Sequence, residues 1–351
     1  METALAHGGT GALDPDSGRR ETRPSRAVRF ARAIRRLMSR AVGPLALTWV
    51  VGGSVVRLTV RDDWDPTAVL YYASPPEVLA GVAVLLAIVR WRGKRQRAAC
   101  LAAGLIWASV ALGSSWRASE SATAPSPTAP LIRFGYWNVS GAPRGWKRVA
   151  STVRRWSDDL VLLTEALDTP TRHRSAHASR FPGYRLLPLG QELVLLTRNA
   201  RVTPIESLAL DAGGSADVLD IAVRGVTFRL VAVDLGCNPL RSRRRDFDSL
   251  RALMARQPAG LPVVVAGDFN TPADSVLFRP FSSGWRSAFD TAGDGWGRSW
   301  PVVCPVLDLD QAWGNPLVHW ETCHLRSSTL SDHRALRAKF WVVPPDAPRR
   351  G

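Results

Sequence analysis

The chain has 351 residues, of which 46% are hydrophobic and 22% are charged, and its formal net charge is +16. This length is enough for two domains with a sizeable core. Part of the positive charge lies in the N-terminal region, so the charge alone does not indicate a nucleic-acid-binding surface.

Residues 1–40 are polar and rich in arginine. From Arg26 onward the arginines recur every three or four residues and alternate with apolar side chains such as Phe30 and Ile34. This spacing predicts a disordered start followed by a basic amphipathic helix on an anionic membrane surface. A solvated run of charge is the alternative.

Three apolar segments follow, at about 41–60, 67–89 and 98–116. Their lengths predict three transmembrane spans, although Pro75, Pro76 and Glu77 indicate a kink or a re-entrant start in the second. A cleaved signal peptide fits less well, because no single short apolar region precedes a clean small-residue cleavage site.

The basic residues predict the orientation of these spans. Residues 1–40 and the connection 90–97 are strongly positive, whereas the connection at Asp62, Asp63 and Asp65 is acidic. The positive-inside rule puts both basic segments in the cytoplasm, so three spans would export the rest of the chain. If 67–89 does not cross, the C-terminal domain would be cytoplasmic, but two spans cannot keep both basic segments on one side.

Residues 117–130 are rich in Ala, Pro, Ser and Thr, which predicts a semi-rigid linker between domains. A second domain over 131–345 and a tail over 346–351 follow. Within that domain a Cys304–Cys323 disulfide is an open possibility if the domain is exported. Strands are predicted at 131–139, 160–164, 191–198, 218–223, 226–233, 263–270 and 339–343, and helices at 147–157 and 247–256. The pattern favours two packed sheets with outer helices.

The strand at 263–270 ends in Gly267, Asp268, Phe269 and Asn270. It delivers a carboxylate and an amide to its C-terminal end, and such hard oxygen ligands suit Mg²⁺ and phosphate chemistry. An Asx turn that caps the next segment explains the same residues equally well.

Three further motifs end or begin apolar strands: Trp137-Asn138-Val139, Leu162-Leu163-Thr164-Glu165 and Ser331-Asp332-His333. Together with the Gly-Asp-x-Asn motif, they occur along the chain in the order typical of the endonuclease/exonuclease/phosphatase superfamily, the fold of DNase I, which they resemble. The resemblance covers about 131–345. It implies a four-layered α/β sandwich and hydrolysis of phosphate ester or phosphoanhydride bonds with Mg²⁺ or Mn²⁺.

The resemblance also implies roles for individual residues. Glu165 and Asn138 would bind the metal, with Asp332 as a further metal-side carboxylate. Asp268 would orient or deprotonate the attacking water. Asn270 and His333 would contact the phosphate, and Asp310 would fix the tautomer of His333.

The sequence departs from the family where Asp234 stands in place of a strand-end histidine, and Ser140 where many relatives have Asn or Asp. Since an ionised aspartate would repel a phosphate, Asp234 would be protonated, bind a second cation or turn away. Downstream, Arg241 and Arg244 are predicted to bind substrate phosphate, with a solvated helix start as the alternative.

The predicted spans and this domain together are similar to VanJ-type membrane proteins associated with teicoplanin resistance. That resemblance implies a multi-pass protein of the bacterial cell membrane whose extracytoplasmic domain acts on lipid-linked envelope intermediates such as undecaprenyl pyrophosphate. Its partners would be the lipid bilayer and the phosphorylated substrate. An extracytoplasmic endonuclease or phosphodiesterase, with nucleic acid as partner, and a non-catalytic phosphate-binding domain are the alternatives.

Overall fold

The structure is a computed structural model that describes residues 25, 26, 29, 30, 33, 42–89, 93–118, 129–166 and 179–343. In the first forty residues the described ones from Arg26 onward are helical, and the Arg29 amide donates to the Ser25 carbonyl over 3.1 Å. Most of the predicted basic segment, residues 119–128 of the predicted linker and the predicted tail lie outside the described residues.

Residues 42–115, where the structure describes them, contain the helices α1 (Gly43–Leu58), α2 (Asp65–Ala73), α3 (Pro76–Val89) and α4 (Lys94–Ser115). The chain bends by 62° between α2 and α3. Pro75 and Pro76 explain the break, because a residue before proline is disfavoured in the helical conformation.

Helix length does not support the prediction of three spans. Among the described residues α4 is the one helix that is long and apolar enough to cross a membrane, and the bent pair α2–α3 would be a second if it is counted as one span. The first predicted span is the 16-residue helix α1, which is about 24 Å long against a hydrocarbon core of about 30 Å.

α1, α3 and α4 pack side by side. Val50 of α1 and Ala83 and Leu86 of α3 form a small buried cluster. Gly104 of α4 permits a close approach, because a Cβ there would lie 2.9 Å from the Val84 side chain. The Trp107 indole of α4 donates to the Ser54 hydroxyl of α1 over 3.0 Å.

The rest of the chain forms two mixed sheets. The eight-stranded sheet has the order β1-β11-β13-β14-β2-β3-β5-β4, and the six-stranded sheet has the order β10-β12-β9-β8-β7-β6. The strands are β1 (Trp116–Arg117), β2 (Ile132–Asn138), β3 (Leu160–Thr164), β4 (Arg185–Pro188), β5 (Val194–Thr197), β6 (Ala200–Ala209), β7 (Ser215–Val223), β8 (Val226–Asp234), β9 (Val263–Asp268), β10 (Arg286–Ser287), β11 (Gly293–Trp296), β12 (Asp310–Gly314), β13 (Val318–Arg326) and β14 (Ala335–Val342). The helices of this part are α5 (Trp146–Trp156), α6 (Arg244–Ala255), α7 (Arg279–Ser282) and α8 (Ala288–Ala292), with a 3₁₀ turn at Val276–Phe278.

Alternating side chains divide the core into layers. Phe134 of β2 lies between the two sheets, whereas Trp137 faces the outside of the first sheet, where α5 packs. In β9, Val264 points between the sheets and Val265 points toward α6. The rings of Phe228 and Phe340 meet edge to face between the sheets, 5.3 Å apart. The result is the α/β sandwich that the sequence predicts.

Most predicted strands are present within a few residues, and β3 has the predicted bounds. The hairpin between β7 and β8 turns at Arg224 and Gly225, whose φ angles of 53° and 80° are those of a type I′ turn. The proposed disulfide is not formed. Cys304 and Cys323 are free, and Cys323 is buried in the core.

A glycine is required where β9 approaches β8. A Cβ on Gly267 would lie 1.8 Å from the Val233 carbonyl oxygen. We therefore expect Gly267→Ala to lower the free energy of unfolding by about 3 kcal/mol or more, measured by thermal or denaturant unfolding of the full chain. Gly260→Ala is the matched control, since no atom lies within 4 Å of the position that its methyl group would occupy; equal stability of the two variants would contradict the prediction.

Candidate active site

Three aspartates lie side by side where the central strands of the smaller sheet meet. Asp268 of β9 is paired in register with Asp234 of parallel β8 and with Asp310 of antiparallel β12. In the larger sheet, the ends of parallel β2 and β3 bring Asn138 beside Thr164, and Glu165 follows directly. These strand ends together form the candidate active site.

The amide of Asn138 joins the two sheets. Its Nδ2 donates to Glu165 Oε1 over 2.9 Å and to Asp268 Oδ2 over 3.0 Å. Its Oδ1 accepts from the Ser140 backbone amide over 2.9 Å. Asn138 is buried, whereas Glu165 is exposed, so the carboxylate faces the open side of the site.

Several residues of the site have left-handed backbone conformations. The φ angles are 50° at Glu165, 48° at Ser140 and 46° at Asn270. Such angles are uncommon for residues other than glycine and cluster at functional sites. The local backbone is therefore held by its surroundings at the points where strands deliver polar side chains.

His333 and Asp310 form a buried pair. His333 Nδ1 lies 2.8 Å from Asp310 Oδ2 and 3.1 Å from Oδ1. Burial opposes protonation of the imidazole, but the Asp310 carboxylate outweighs it and raises the pKa of His333 to about 9. Nδ1–H then donates to Asp310, and Nε2 on the opposite side of the ring is the atom that can donate to a phosphate oxygen.

Asp268 is 1% exposed and sits between Asn138 and the histidine pair. Burial and the Asp310 carboxylate raise the pKa of Asp268 to about 7, against the opposing effect of His333. Its Oδ1 accepts from the Asn270 backbone amide over 2.8 Å, and its Oδ2 lies 4.0 Å from His333 Nδ1. A carboxylate with a pKa near neutrality has the basicity that a general base needs.

Asp332 joins the site indirectly. Its carboxylate is exposed and accepts from the Ser140 hydroxyl and, over 3.0 Å, from the Trp300 indole. These hydrogen bonds outweigh burial and hold the pKa of Asp332 below its usual range. Ser331 completes the link, because its hydroxyl donates to the Asn138 carbonyl over 2.7 Å and accepts from the His333 amide over 3.0 Å.

Sequence reasoning missed Trp300 and Ser331 as members of the site. Ser331 belongs to the Ser-Asp-His motif, yet only the fold shows that it connects β2 to the histidine. No pattern in the sequence pointed to Trp300, since its loop reaches Asp332 across 32 residues.

Asp234 is half-buried beside Asp268. Burial first, and then the charges of Asp268 and Glu165, raise its pKa well above the ordinary range. Of the three states that the sequence left open, this environment favours the protonated acid unless a cation binds nearby.

The arginines are divided differently from the prediction. Arg241 is exposed, and Arg244 is exposed and paired with Asp63 of the N-terminal region over 3.1 Å. Arg243 belongs to the same run of arginines but was not chosen as a substrate-binding residue; it is buried and donates to the Asn270 carbonyl and, over 3.3 Å, to the Thr271 hydroxyl. Of these three side chains, Arg243 is therefore the one in contact with the loop after Asp268.

The donor set suits a hard divalent cation. Glu165 offers an exposed carboxylate oxygen, and the Asn138 Oδ1 retains a second lone pair beside its bond to Ser140. Ligand atoms of Asp268, Asp310 and His333 also lie within 4.8 Å of one another. A cation among those three would compete with the His333–Asp310 hydrogen bond, so we expect the cation on the Glu165 side.

The model of the Endonuclease/Exonuclease/phosphatase family matches residues 135–333, from β2 to His333. The chain belongs to this family. Its members are metal-dependent phosphoester hydrolases, and the chain is an enzyme of this class. No curated protein sequence matches the chain at a significant level.

Solved structures share the family fold. An endonuclease/exonuclease/phosphatase family protein from Bacteroides thetaiotaomicron is 14% identical, with a TM-score of 0.50 over 62% of this chain and 99% of its own. A mannosyl-6-phosphatase from the same organism is 14% identical (TM-score 0.48; 60% and 99% covered). A truncated TDP2 from Caenorhabditis elegans is 19% identical (TM-score 0.47; 60% and 98% covered).

The His333–Asp310 pair predicts a pH effect. Replacing Asp310 by Asn removes the charge that raises the pKa of His333, so in the metal-free protein that pKa should fall by about one unit or more. NMR titration of the imidazole would measure it. In the wild type, the contribution of this pair to the free energy of unfolding is fully present below the ordinary pKa of histidine and is lost as the pH rises through about 9, the raised pKa of His333. An unchanged pKa in Asp310→Asn would contradict the assignment.

The state of Asp234 can be tested by an isosteric amide. A protonated acid and an amide are both neutral and both donate, so Asp234→Asn should retain hydrolysis within about threefold of wild type. Steady-state kinetics across a range of Mg²⁺ or Mn²⁺ concentrations would measure it. A large loss that extra cation restores would instead show that Asp234 binds a cation as a carboxylate.

Proposed function

We propose that the protein is a membrane-anchored, Mg²⁺- or Mn²⁺-dependent phosphoesterase of the VanJ type that hydrolyses lipid-linked phosphate or pyrophosphate esters. Undecaprenyl pyrophosphate is the proposed example. The observation that supports this proposal best is a phosphoesterase site on a domain that is continuous with a bundle of helices whose outer surface is apolar.

The outer surface of the helices suits lipid better than water. Large apolar side chains on three helices are strongly exposed, among them Leu45 and Leu58 of α1, Ile88 of α3, and Leu105 and Ile106 of α4, all between 63% and 76%. Water-soluble monomers rarely expose contiguous apolar patches of this kind. A bilayer around α1, α3 and α4 would cover them.

Chain direction supports the proposed orientation. The end of α1 at Arg57, the start of α3 at Glu77 and the end of α4 at Ser115 all contact the catalytic domain. The opposite helix ends, next to the basic segments 1–40 and 90–97, therefore point away from it. With those basic segments in the cytoplasm, the catalytic domain would be extracytoplasmic. This orientation requires α1 and the bent pair α2–α3 to cross together with α4, which alone among the described helices has the length of a span by itself. A role in antibiotic resistance at the cell envelope is part of this proposal.

The boundary between helices and domain has the features of a membrane interface. Trp64 and Trp116 are exposed there, at 63% and 55%, and tryptophan is enriched at the headgroup level. Leu240, next to Arg241, is 82% exposed. Just after it in the chain, Ser242 donates to Asp65 and Arg244 donates to Asp63. A lipid-linked phosphate at the bilayer surface would meet these side chains first.

The proposed chemistry is attack of water on phosphorus: the new P–O bond forms as the bond from phosphorus to the bridging ester or anhydride oxygen breaks, and the lipid alcohol or lipid phosphate leaves with that oxygen. Asp268 accepts a proton from the water, which suits its raised pKa. The Asn270 side-chain amide, one of whose two hydrogens is donated to the Leu235 carbonyl over 2.7 Å, and protonated His333 would donate to the phosphate oxygens, and Asp310 keeps the imidazole oriented. Glu165 and Asn138 would hold the divalent cation, which would supply positive charge next to the developing negative charge.

The test is release of phosphate by the purified full chain in detergent, with Mg²⁺ or Mn²⁺, from undecaprenyl pyrophosphate and from plasmid DNA in parallel. We expect release from the lipid, with a loss of about 100-fold or more in Glu165→Ala and Asp268→Asn. Glu206→Gln is the matched control, because this exposed carboxylate lies on strand β6 at the edge of the smaller sheet, where it pairs with Arg256.

Cleavage of DNA without turnover of the lipid would contradict the proposal and favour the nuclease. Activity that persists in both active-site variants would contradict the assigned residues instead.

A further inference from the structure

A polar interface joins the helical region to the loop that follows Asp268. We define this catalytic loop as residues 269–276, and the docking segment as residues 57–77, from the end of α1 to the start of α3. The catalytic loop contains Asn270, the proposed phosphate contact. Several of its polar groups are bound by side chains of the docking segment rather than by the catalytic domain.

Asp62 of the docking segment binds the far end of the catalytic loop. It is 3% exposed, and its Oδ1 accepts from the Val276 backbone amide over 3.1 Å. Its Oδ2 accepts from the Ser275 hydroxyl and, over 3.1 Å, from the Tyr72 hydroxyl. A buried carboxylate with three donors fixes the backbone that it binds.

Asp274, in the middle of the catalytic loop, is held twice. Its carboxylate pairs with the buried guanidinium of Arg57, and its carbonyl accepts from the Tyr71 hydroxyl over 2.9 Å. Arg57 also lies over the Tyr71 ring at 4.4 Å and donates to the Tyr71 carbonyl over 3.2 Å. Arg57 at the end of α1 and Tyr71 of α2 therefore contact each other and both bind Asp274.

The near end of the catalytic loop is held through Arg243. Its guanidinium donates to the Asn270 carbonyl and the Thr271 hydroxyl, and it lies 5.5 Å from the centre of the Tyr72 ring. Tyr72 also donates to Asp62. One side chain of α2 therefore contacts the groups that hold both ends of the catalytic loop.

The half-buried carboxylate of Glu77 extends the same interface. Arg298, 3% exposed, donates to Glu77 Oε1 over 2.9 Å and pairs with Asp308 over 2.9 Å. Asp308 in turn accepts from the Ala273 amide of the catalytic loop over 3.0 Å. The docking segment thus reaches the loop by a third route, through the catalytic domain.

We infer that the docking segment is a positioning element of the active site. It fixes residues 274–276 through Asp62 and Arg57, and through the Tyr72–Arg243 contact it supports the carbonyl of Asn270, whose own amide groups are bound by Asp268 and Leu235. The family match begins at residue 135, so the docking segment lies outside the region that the chain shares with the family. The inference rests on the role of Asn270 in the proposed function. It makes Asp62 a positioning residue, because it acts on substrate only through the loop.

The experiment compares Asp62→Ala with Asp290→Ala in the full chain in detergent. Asp290 pairs with Arg117 over 2.8 Å, and so it also lies between the N-terminal region and the catalytic domain, but its carboxylate is exposed and binds Arg117 rather than a group of the catalytic loop. Two measurements are made: kcat and KM for undecaprenyl pyrophosphate with Mn²⁺, and hydrogen–deuterium exchange of the backbone.

In Asp62→Ala we expect kcat to fall by about tenfold or more with KM changed by less than about threefold. Exchange should become faster in residues 270–276 but not in β2 or β9. Asp62→Asn, which keeps an acceptor for the Val276 amide, should recover part of both. Asp290→Ala should resemble the wild type in kcat and in exchange of the catalytic loop.

Unchanged kcat in Asp62→Ala would overturn the inference, and so would faster exchange throughout the catalytic domain, because that pattern indicates a general loss of stability. If the wild type does not hydrolyse the lipid, the proposed substrate is wrong. The exchange data then still decide the docking part of the inference, since unchanged exchange at 270–276 would overturn it.

Discussion

The site depends on one electrostatic constraint: three aspartates occupy adjacent register positions on neighbouring strands and cannot all be ionised without compensation. Asp234, Asp268 and Asp310 lie in one row. The fold compensates each by different means. Protonated His333 neutralises Asp310, the amide of Asn138 donates to Asp268, and Asp234 has a pKa raised well above the usual range by burial and by its neighbours. A row of like charges is costly for stability, but it yields a carboxylate whose basicity suits removal of a proton from water.

Much of this site could be predicted because it is delivered by strand ends. Runs of apolar residues identify β2, β3 and β9, and the polar side chains at the ends of β2 and β3 must fall at the same edge because these two strands are parallel neighbours. The resemblance to the family implied that Asp310 orients His333, and in the structure His333 Nδ1 lies 2.8 Å from Asp310 Oδ2. Loops gave weaker signals. The sequence does not distinguish the arginines at 241, 243 and 244 from one another. In the folded protein Arg243 turns inward to Asn270, whereas Arg244 pairs with Asp63.

The helical region shows the opposite case, in which hydropathy identified the elements but not their lengths. The two prolines, and not hydropathy, locate the break, and the chain bends by 62° where Pro75 and Pro76 predict a kink. Neither signal reveals that acidic residues of the region face the catalytic domain. In sequence Asp62 reads as part of an acidic connection between two spans, and Glu77 as an interruption of the second apolar segment. In the structure both are largely removed from water, and each accepts hydrogen bonds from a partner more than 200 residues away.

The contacts of Asp62 and Glu77 indicate that the helical region does more than tether the catalytic domain. If the helices only tethered the domain, the junction would consist of exposed, interchangeable contacts, which contribute little to stability or geometry. Instead the junction buries Arg57, Asp62 and Arg298, and removal of one partner from such a pair leaves an uncompensated buried charge. The part of the catalytic loop at residues 274–276 is therefore held by contacts with the docking segment. In the proposed function, a helical region that is fixed to the loop in this way would hold the active site at a set height and orientation relative to the bilayer. For a substrate whose phosphate is confined to a membrane surface, that fixed geometry adds to the gain in effective concentration that tethering alone provides.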